Sequence, residues 1–199
     1  MLLPCLHPYN LGNQDGSWSG KLPKLTTSRV VGSPEPPLPY TVRRVYPNLK
    51  LSLPIGIIRQ PNSDRLWTFT ADGANGRTIL RRFVDSPDVT ESEILLPADD
   101  RMAYDAAFHP RFAENGFVYI GHDRPINPGG PKYVRVSRFK MNPRPPYEFD
   151  PATETTIIDW PSDGHNGAAV SFGHDGMLYV TSGDGTSDSD TNLRGQEMT

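Results

Sequence analysis

Three stretches of the chain repeat one layout: an apolar alternating run, a polar turn, then a second run carrying a bulky apolar or aromatic pair. They are Ile55-Gly56-Ile57-Ile58 with Leu66-Trp67-Thr68-Phe69, Ala106-Ala107-Phe108 with Phe117-Val118-Tyr119-Ile120, and Ala169-Val170-Ser171-Phe172 with Met177-Leu178-Tyr179-Val180. Alternation with a period of two sends successive side chains to opposite faces of a strand, so each stretch predicts a strand pair. Asn115-Gly116 and Asp175-Gly176 tolerate positive φ at both central positions of a tight hairpin turn, and Asn62-Ser63-Asp64 does the same in the first stretch. Further strands are expected over Arg77 to Phe83, Tyr133 to Phe139 and Thr155 to Trp160. Helix signals are nearly absent. Pro143, Pro145 and Pro146 make Asn142 to Pro151 a loop between two repeats, since proline cannot donate to an interior sheet ladder.

Aligned on Trp67, Tyr119 and Tyr179, the layout recurs at roughly 50 to 60 residues, a period that suits the blades of a β-propeller. The expected fold class is therefore all-β, a β-propeller of which about the first three blades are present. Residues 1–39 carry Gly, Ser, Asn and Pro with little periodicity and end in Gly32-Ser33-Pro34-Glu35-Pro36-Pro37-Leu38-Pro39, which predicts an extended or disordered leader. Residues 40–199 are expected to be the N-terminal part of the propeller, truncated after the third hairpin. Half a ring leaves blade faces without partners, so these residues alone are expected to be poorly stable.

Composition narrows the function classes. Gly and Pro number 18 and 21, which favours turn-rich β structure. A net charge of −3 gives no general attraction for phosphate backbones, so nucleic acid is not an expected partner. Cys5 is the only cysteine, which excludes an internal disulfide, a thiolate zinc cluster and a C-x-x-C-H haem attachment. No apolar run approaches the length of a membrane span, and Met1 to Leu6 is too short for a signal core and lacks a basic flank.

Ala107 to Tyr119, Ser137-Arg138-Phe139, His165-Asn166-Gly167, Asp175 to Tyr179 and Gly183-Asp184-Gly185, taken in this order and at these separations, resemble the glucose/sorbosone dehydrogenase family. The resemblance runs from about Tyr40 to the C-terminus. It implies a six-bladed propeller which, in active members, holds pyrroloquinoline quinone (PQQ) and calcium at the ring mouth, with ligands mostly outside these 199 residues. It further implies a sugar or related alcohol as substrate, an external electron acceptor, and a periplasmic or extracellular location.

Alcohol oxidation needs a base for the hydroxyl proton while the carbon delivers a hydride, and histidine suits that role near neutral pH. His165 matches the family's catalytic histidine, flanked by Gly164 and Gly167 without bulk. The competing reading makes His165-Asn166-Gly167 a plain turn. Asp163 is the candidate to orient the imidazole, and it is equally readable as a solvated turn residue. Asp100 falls where the family glutamine contacts substrate or cofactor, and Asn166 is the second candidate contact. The sequence departs from the active members twice: Gly164 replaces an acidic residue, and Asp100 to Asp105 replaces a Gln-x-Gly-Leu-Leu-Gly segment.

The other candidates read as structural. His109, before Pro110, is expected at a strand end; His7, His122 and His174 have no companion motif and are expected to be exposed. Asp184, Asp188 and Asp190 with Asn192 form an oxygen-rich loop of a kind that can hold calcium, but Leu193 stands where an EF-hand needs glycine, and Asp184 reads first as closing the Gly183-Asp184-Gly185 turn. No metal ligands are assigned. Two function classes stay open: a PQQ-dependent sugar or alcohol dehydrogenase, and a non-catalytic propeller that binds carbohydrate or protein.

Overall fold

Each alternating run lies in a strand, whereas the turn at Asp175-Gly176 spans residues 173–177 with positive φ at Gly176 alone. The structure, a computed structural model, describes residues 42–71, 77–97, 101–125, 129–186, 188–191, 193 and 195. The leader expected over residues 1–39 lies outside the described residues, and the elements below all belong to the unit Arg44–Thr199.

The first sheet contains β1 (Pro54–Arg59), β2 (Arg65–Thr70), β3 (Ile79–Val84) and β4 (Glu93–Leu96), paired antiparallel in chain order. The second contains β5 (Met102–Phe108), β6 (Phe117–Pro125), β7 (Lys132–Met141) and β8 (Phe149–Pro161), in the same order and sense. The third is the pair β9 (Gly167–Phe172) and β10 (Leu178–Ser182). Two four-stranded meanders and a strand pair, packed face to face in succession, are consecutive propeller blades.

The aromatic repeat has a physical basis in the packing between sheets. Trp67 on β2 meets Phe108 of β5 and Phe149 of β8 edge to face, at 4.9 and 5.7 Å between ring centroids. Its buried indole N–H donates to Gln60 Oε1 at 2.9 Å. Tyr119, one repeat later on β6, meets Phe172 of β9 at 5.3 Å. The repeated position is thus the one that packs onto the next sheet. Tyr179, the third equivalent, pairs with Ser171 across β9 and β10 and is 58% exposed.

Strand alternation divides the first sheet between two clusters. Trp67, Phe69 and Leu80 join Ala103, Val118, Ile120 and Phe139 in the core between the first two sheets. Leu66 and Phe83 pack with Leu49 on the opposite face.

Two sequence expectations change. Asn115-Gly116 is not a two-residue hairpin turn: a short helix α1 (Phe112–Asn115) joins β5 to β6, with Gly116 as its left-handed C-cap at φ 66. A side chain there would also collide with the Met141 carbonyl oxygen. Asn142 to Pro151 does not lie between blades. It connects β7 to β8 within the second sheet, and pairing resumes at Phe149, because the Pro145 and Pro146 peptides need no ladder partner in the exposed turn.

Candidate functional site

Antiparallel order brings the start of β5, the end of β6, the β8–β9 connection and the end of β10 to one end of their sheets. The β8–β9 connection contains Ser162 to Asn166, and its backbone is strained. His165 has φ 42, followed by Gly167 at 74 and Ala168 at 66. Non-glycine residues in this region persist only where neighbouring contacts over-determine them.

Those contacts come from both sides. His165 Nδ1 lies 3.2 Å from Asp184 Oδ1 and 3.3 Å from Oδ2. The main chain of Gly183 donates to the Asn166 carbonyl at 3.3 Å, and that of Asp163 donates to Gly185 O at 2.9 Å. A Cβ on Gly183 would run into the His165 carbonyl, so only glycine admits this approach. The imidazole itself is 54% exposed while the Asp184 side chain is 17% exposed, so an oriented ring projects toward solvent from a sheltered carboxylate.

Asp184 is held as an anion. The Thr186 main-chain N–H lowers its pKa most; desolvation opposes, while the Thr186 hydroxyl and His165 lower it further, to about 2. Asp190 N–H also donates to it, at 3.2 Å. With Nδ1 facing this carboxylate, Nδ1 carries the proton and Nε2 keeps the free lone pair.

Asp163 does not share this arrangement. Its side chain is 70% exposed and lies 3.1 Å from Lys132 Nζ, and Asp184 holds the position on Nδ1 in its place. Asn166 donates from Nδ2 to the Tyr104 hydroxyl at 2.6 Å and accepts from Ser162 Oγ at 2.5 Å, so its side chain ties the loop to β5. Asp100 lies outside the described residues.

The remaining histidines separate. His174 is exposed, as expected. His109 sits against Phe117, Tyr119 and Phe172, and its Nδ1 accepts from Arg111 N–H at 3.0 Å, a structural role at the end of β5. His7 lies outside the described residues. His122 overturns its expected exposure: it is fully buried, with Nε2 3.0 Å from Ser137 Oγ and Nδ1 3.1 Å from the Asp123 carbonyl. The sequence offered no companion because its partner, Glu154, is two strands away on β8.

Glu154 accepts from Ser137 Oγ at 2.8 Å and from Arg101 at 3.1 Å, with His122 Nε2 at 3.5 Å. Burial by itself raises the Glu154 pKa, but the hydrogen bonds from His122 and Ser137 and the charge of Arg101 prevail and lower it to about 2.

Among the described residues no group of three or more His, Cys, Asp or Glu side chains is arranged to hold a metal ion. Asp184, from the acidic loop, is committed to Thr186, Asp190 and His165, and Asn192 lies outside the described residues. A cleft of about 480 Å³ borders Asp184, lined also by Trp160, Pro161, Ser182 and the glycines 183, 185 and 195.

Sequence reasoning missed Asp184 as the partner of His165, although a signal was present. The signal is only partial: the hairpin brings residues 165–166 near 183–184, but the register shift between Val170–Val180 and Gly167–Ser182 is what sets Asn166 opposite Gly183 and His165 opposite Asp184. Tyr104 and Ser162 carried no motif.

The sequence model of the family described as Glucose / Sorbosone dehydrogenase matches residues 100–199. Human Hedgehog-interacting protein is 26% identical over 149 residues, covering 68% of this chain and 21% of that protein. The mouse protein of the same name is 29% identical over 136 residues, covering 62% and 19%. The chain therefore spans about a fifth of the length of these relatives. Among solved structures, the PQQ-bound form of aldose sugar dehydrogenase from Streptomyces coelicolor is similar at a TM-score of 0.55 and 20% identity, over 74% of this chain and 42% of that one, a likeness of fold. No helix among the described residues is long and apolar enough to cross a membrane. With half of the chain matched by the family's own sequence model, and its sheets matching a dehydrogenase of known structure, the chain belongs to the glucose/sorbosone dehydrogenase family.

Proposed function

We propose that this chain is part of a PQQ-dependent oxidoreductase that oxidises the hydroxyl group of a sugar or related alcohol, with His165 as the general base. The observation that carries this reading is the His165–Asp184 pair: an exposed imidazole whose Nδ1 is held by a sheltered, permanently charged carboxylate. Nε2 accepts the substrate's hydroxyl proton, and Asp184 stabilises the imidazolium that forms. A bound quinone supplies the acceptor for the hydride that leaves the carbon.

The described residues suit one wall of such a site. The His165 ring is exposed, and Gly164 and Gly167 flank it without side chains. Contacts to the quinone, calcium among them, come mainly from outside residues 1–199 in this reading. Asp100, just before β5 in the sequence, is the candidate contact, the electron acceptor is external, and the protein works outside the cytoplasm.

A second reading has one specific observation behind it. The Hedgehog-interacting proteins, similar at 26% and 29% identity, are named for an interaction, which favours a non-catalytic propeller binding protein or carbohydrate. Reconstituting the full-length protein with PQQ and calcium and following reduction of an artificial dye against a panel of aldoses and alcohols separates the two. Turnover of at least one substrate that depends on added quinone is expected. A quinone-loaded protein that turns over none of the panel supports the binding module instead.

A further inference from the structure

We propose that Tyr104 is a positioning residue for His165, acting through Asn166. The inference rests on the reading of His165 as base for its kinetic consequence only. Tyr104 is the extra residue of a β-bulge in β5: Ala103 pairs with His122 and Asp105 with Gly121, leaving Tyr104 without a cross-strand partner. Bulges re-aim side chains, and this one turns a phenol toward the β8–β9 connection.

The hydroxyl accepts from Asn166 Nδ2 at 2.6 Å. The Asp123 carboxylate, which accepts from Met102 N–H at 2.6 Å, lies close enough to help hold the phenol protonated. Burial holds the phenol protonated, with its pKa pushed up to about 12.

The next residue in β5 reaches the same sheet. Asp105 Oδ2 accepts from Val170 N–H at 3.0 Å, so two successive side chains at one bulge fasten β9 and the loop before it. Gly167 and Ala168 lie between these anchors and His165 directly precedes the first, all three with positive φ. A strained histidine keeps its conformation only while the contacts around it over-determine it. Asp184 pins the ring, and Tyr104 pins the residue that follows.

Tyr104→Phe removes one oxygen and leaves the ring. In the full-length protein with labelled histidine, the His165 resonance, identified by its absence in His165→Ala, is expected to shift or broaden. His109 and His122 are expected to keep their positions. Asn166→Ala is expected to do the same, and the double variant to be no worse than either, because both remove one link. In turnover, kcat is expected to fall about tenfold with KM within about twofold. An unchanged His165 resonance in both variants, or effects of the two substitutions that multiply independently, overturns the proposal. Wild-type protein without alcohol oxidation counts against the catalytic reading of the site, while the resonance shift still decides the role of Tyr104.

Discussion

Replacing His165 with alanine in the reconstituted full-length protein is expected to lower kcat about a hundred- to ten-thousandfold, the range over which a positioned general base contributes. KM is expected to change little, since the imidazole gains its interaction as the hydroxyl proton moves. The magnitude depends on Asp184. It keeps Nδ1 protonated and Nε2 free, and it sits 3.2 Å from the ring as a carboxylate lowered to about 2, so it remains charged throughout the working pH range. Equal rates for wild type and His165→Ala would remove His165 as the base and leave the strained loop as a binding surface. Thermal stability of the variant is expected to match the wild type closely, because the ring is exposed and its ion pair lies at the surface.

The second large effect is on stability. Glu154→Gln is expected to cost about 2–4 kcal/mol at neutral pH, because it removes the anion that pairs with Arg101 and Arg124 and faces the buried His122 ring. The folded-state pKa of Glu154 is lowered from 4.5 to about 2, so its contribution is present above about pH 4.5 and is lost as pH falls through that interval. Urea midpoints of wild type and variant should therefore differ most at pH 6 and converge toward pH 2. A gap that stays constant across this range would show that the carboxylate's charge is not what stabilises the second sheet.

The legible part of the fold was the part governed by period two. Trp67, Tyr119 and Tyr179 mark the second strand of each sheet, and the apolar runs around them form the strands on either side. The illegible part lies where pairing departs from strict alternation. β4 is a four-residue strand with no room for a pattern. Glu154 falls inside the second of two register shifts between β7 and β8, so counting along the strand could not assign its face or link it to His122. Tyr104 is itself a bulge residue, and Ala168 lies in the irregular stretch where β9 and β10 change register.

His165 is a candidate through the resemblance of its motif, and the carboxylate set against its ring is not that of the neighbour in sequence, Asp163, but that of the neighbour across the hairpin, Asp184. Proximity along the chain is a weak guide at a strand end, where side chains diverge, whereas hairpin register brings distant residues within contact. Gly121 shows how close the sheets come: a Cβ there would stand 1.9 Å from the Ala168 carbonyl oxygen. The second sheet thus supports the His165 loop from beneath through backbone proximity, and through Tyr104 and Asp105 by side chains.

The central claim is that this family member transfers a hydride from a sugar or alcohol, and a single-turnover measurement tests it most directly. Quinone-loaded full-length protein is mixed with excess aldose in the absence of any electron acceptor, and the absorbance of the bound quinone is followed. The account predicts that one equivalent of quinone is reduced, and that His165→Ala binds the same quinone but reduces it far more slowly. Quinone that binds and stays oxidised with every sugar and alcohol tested would contradict it.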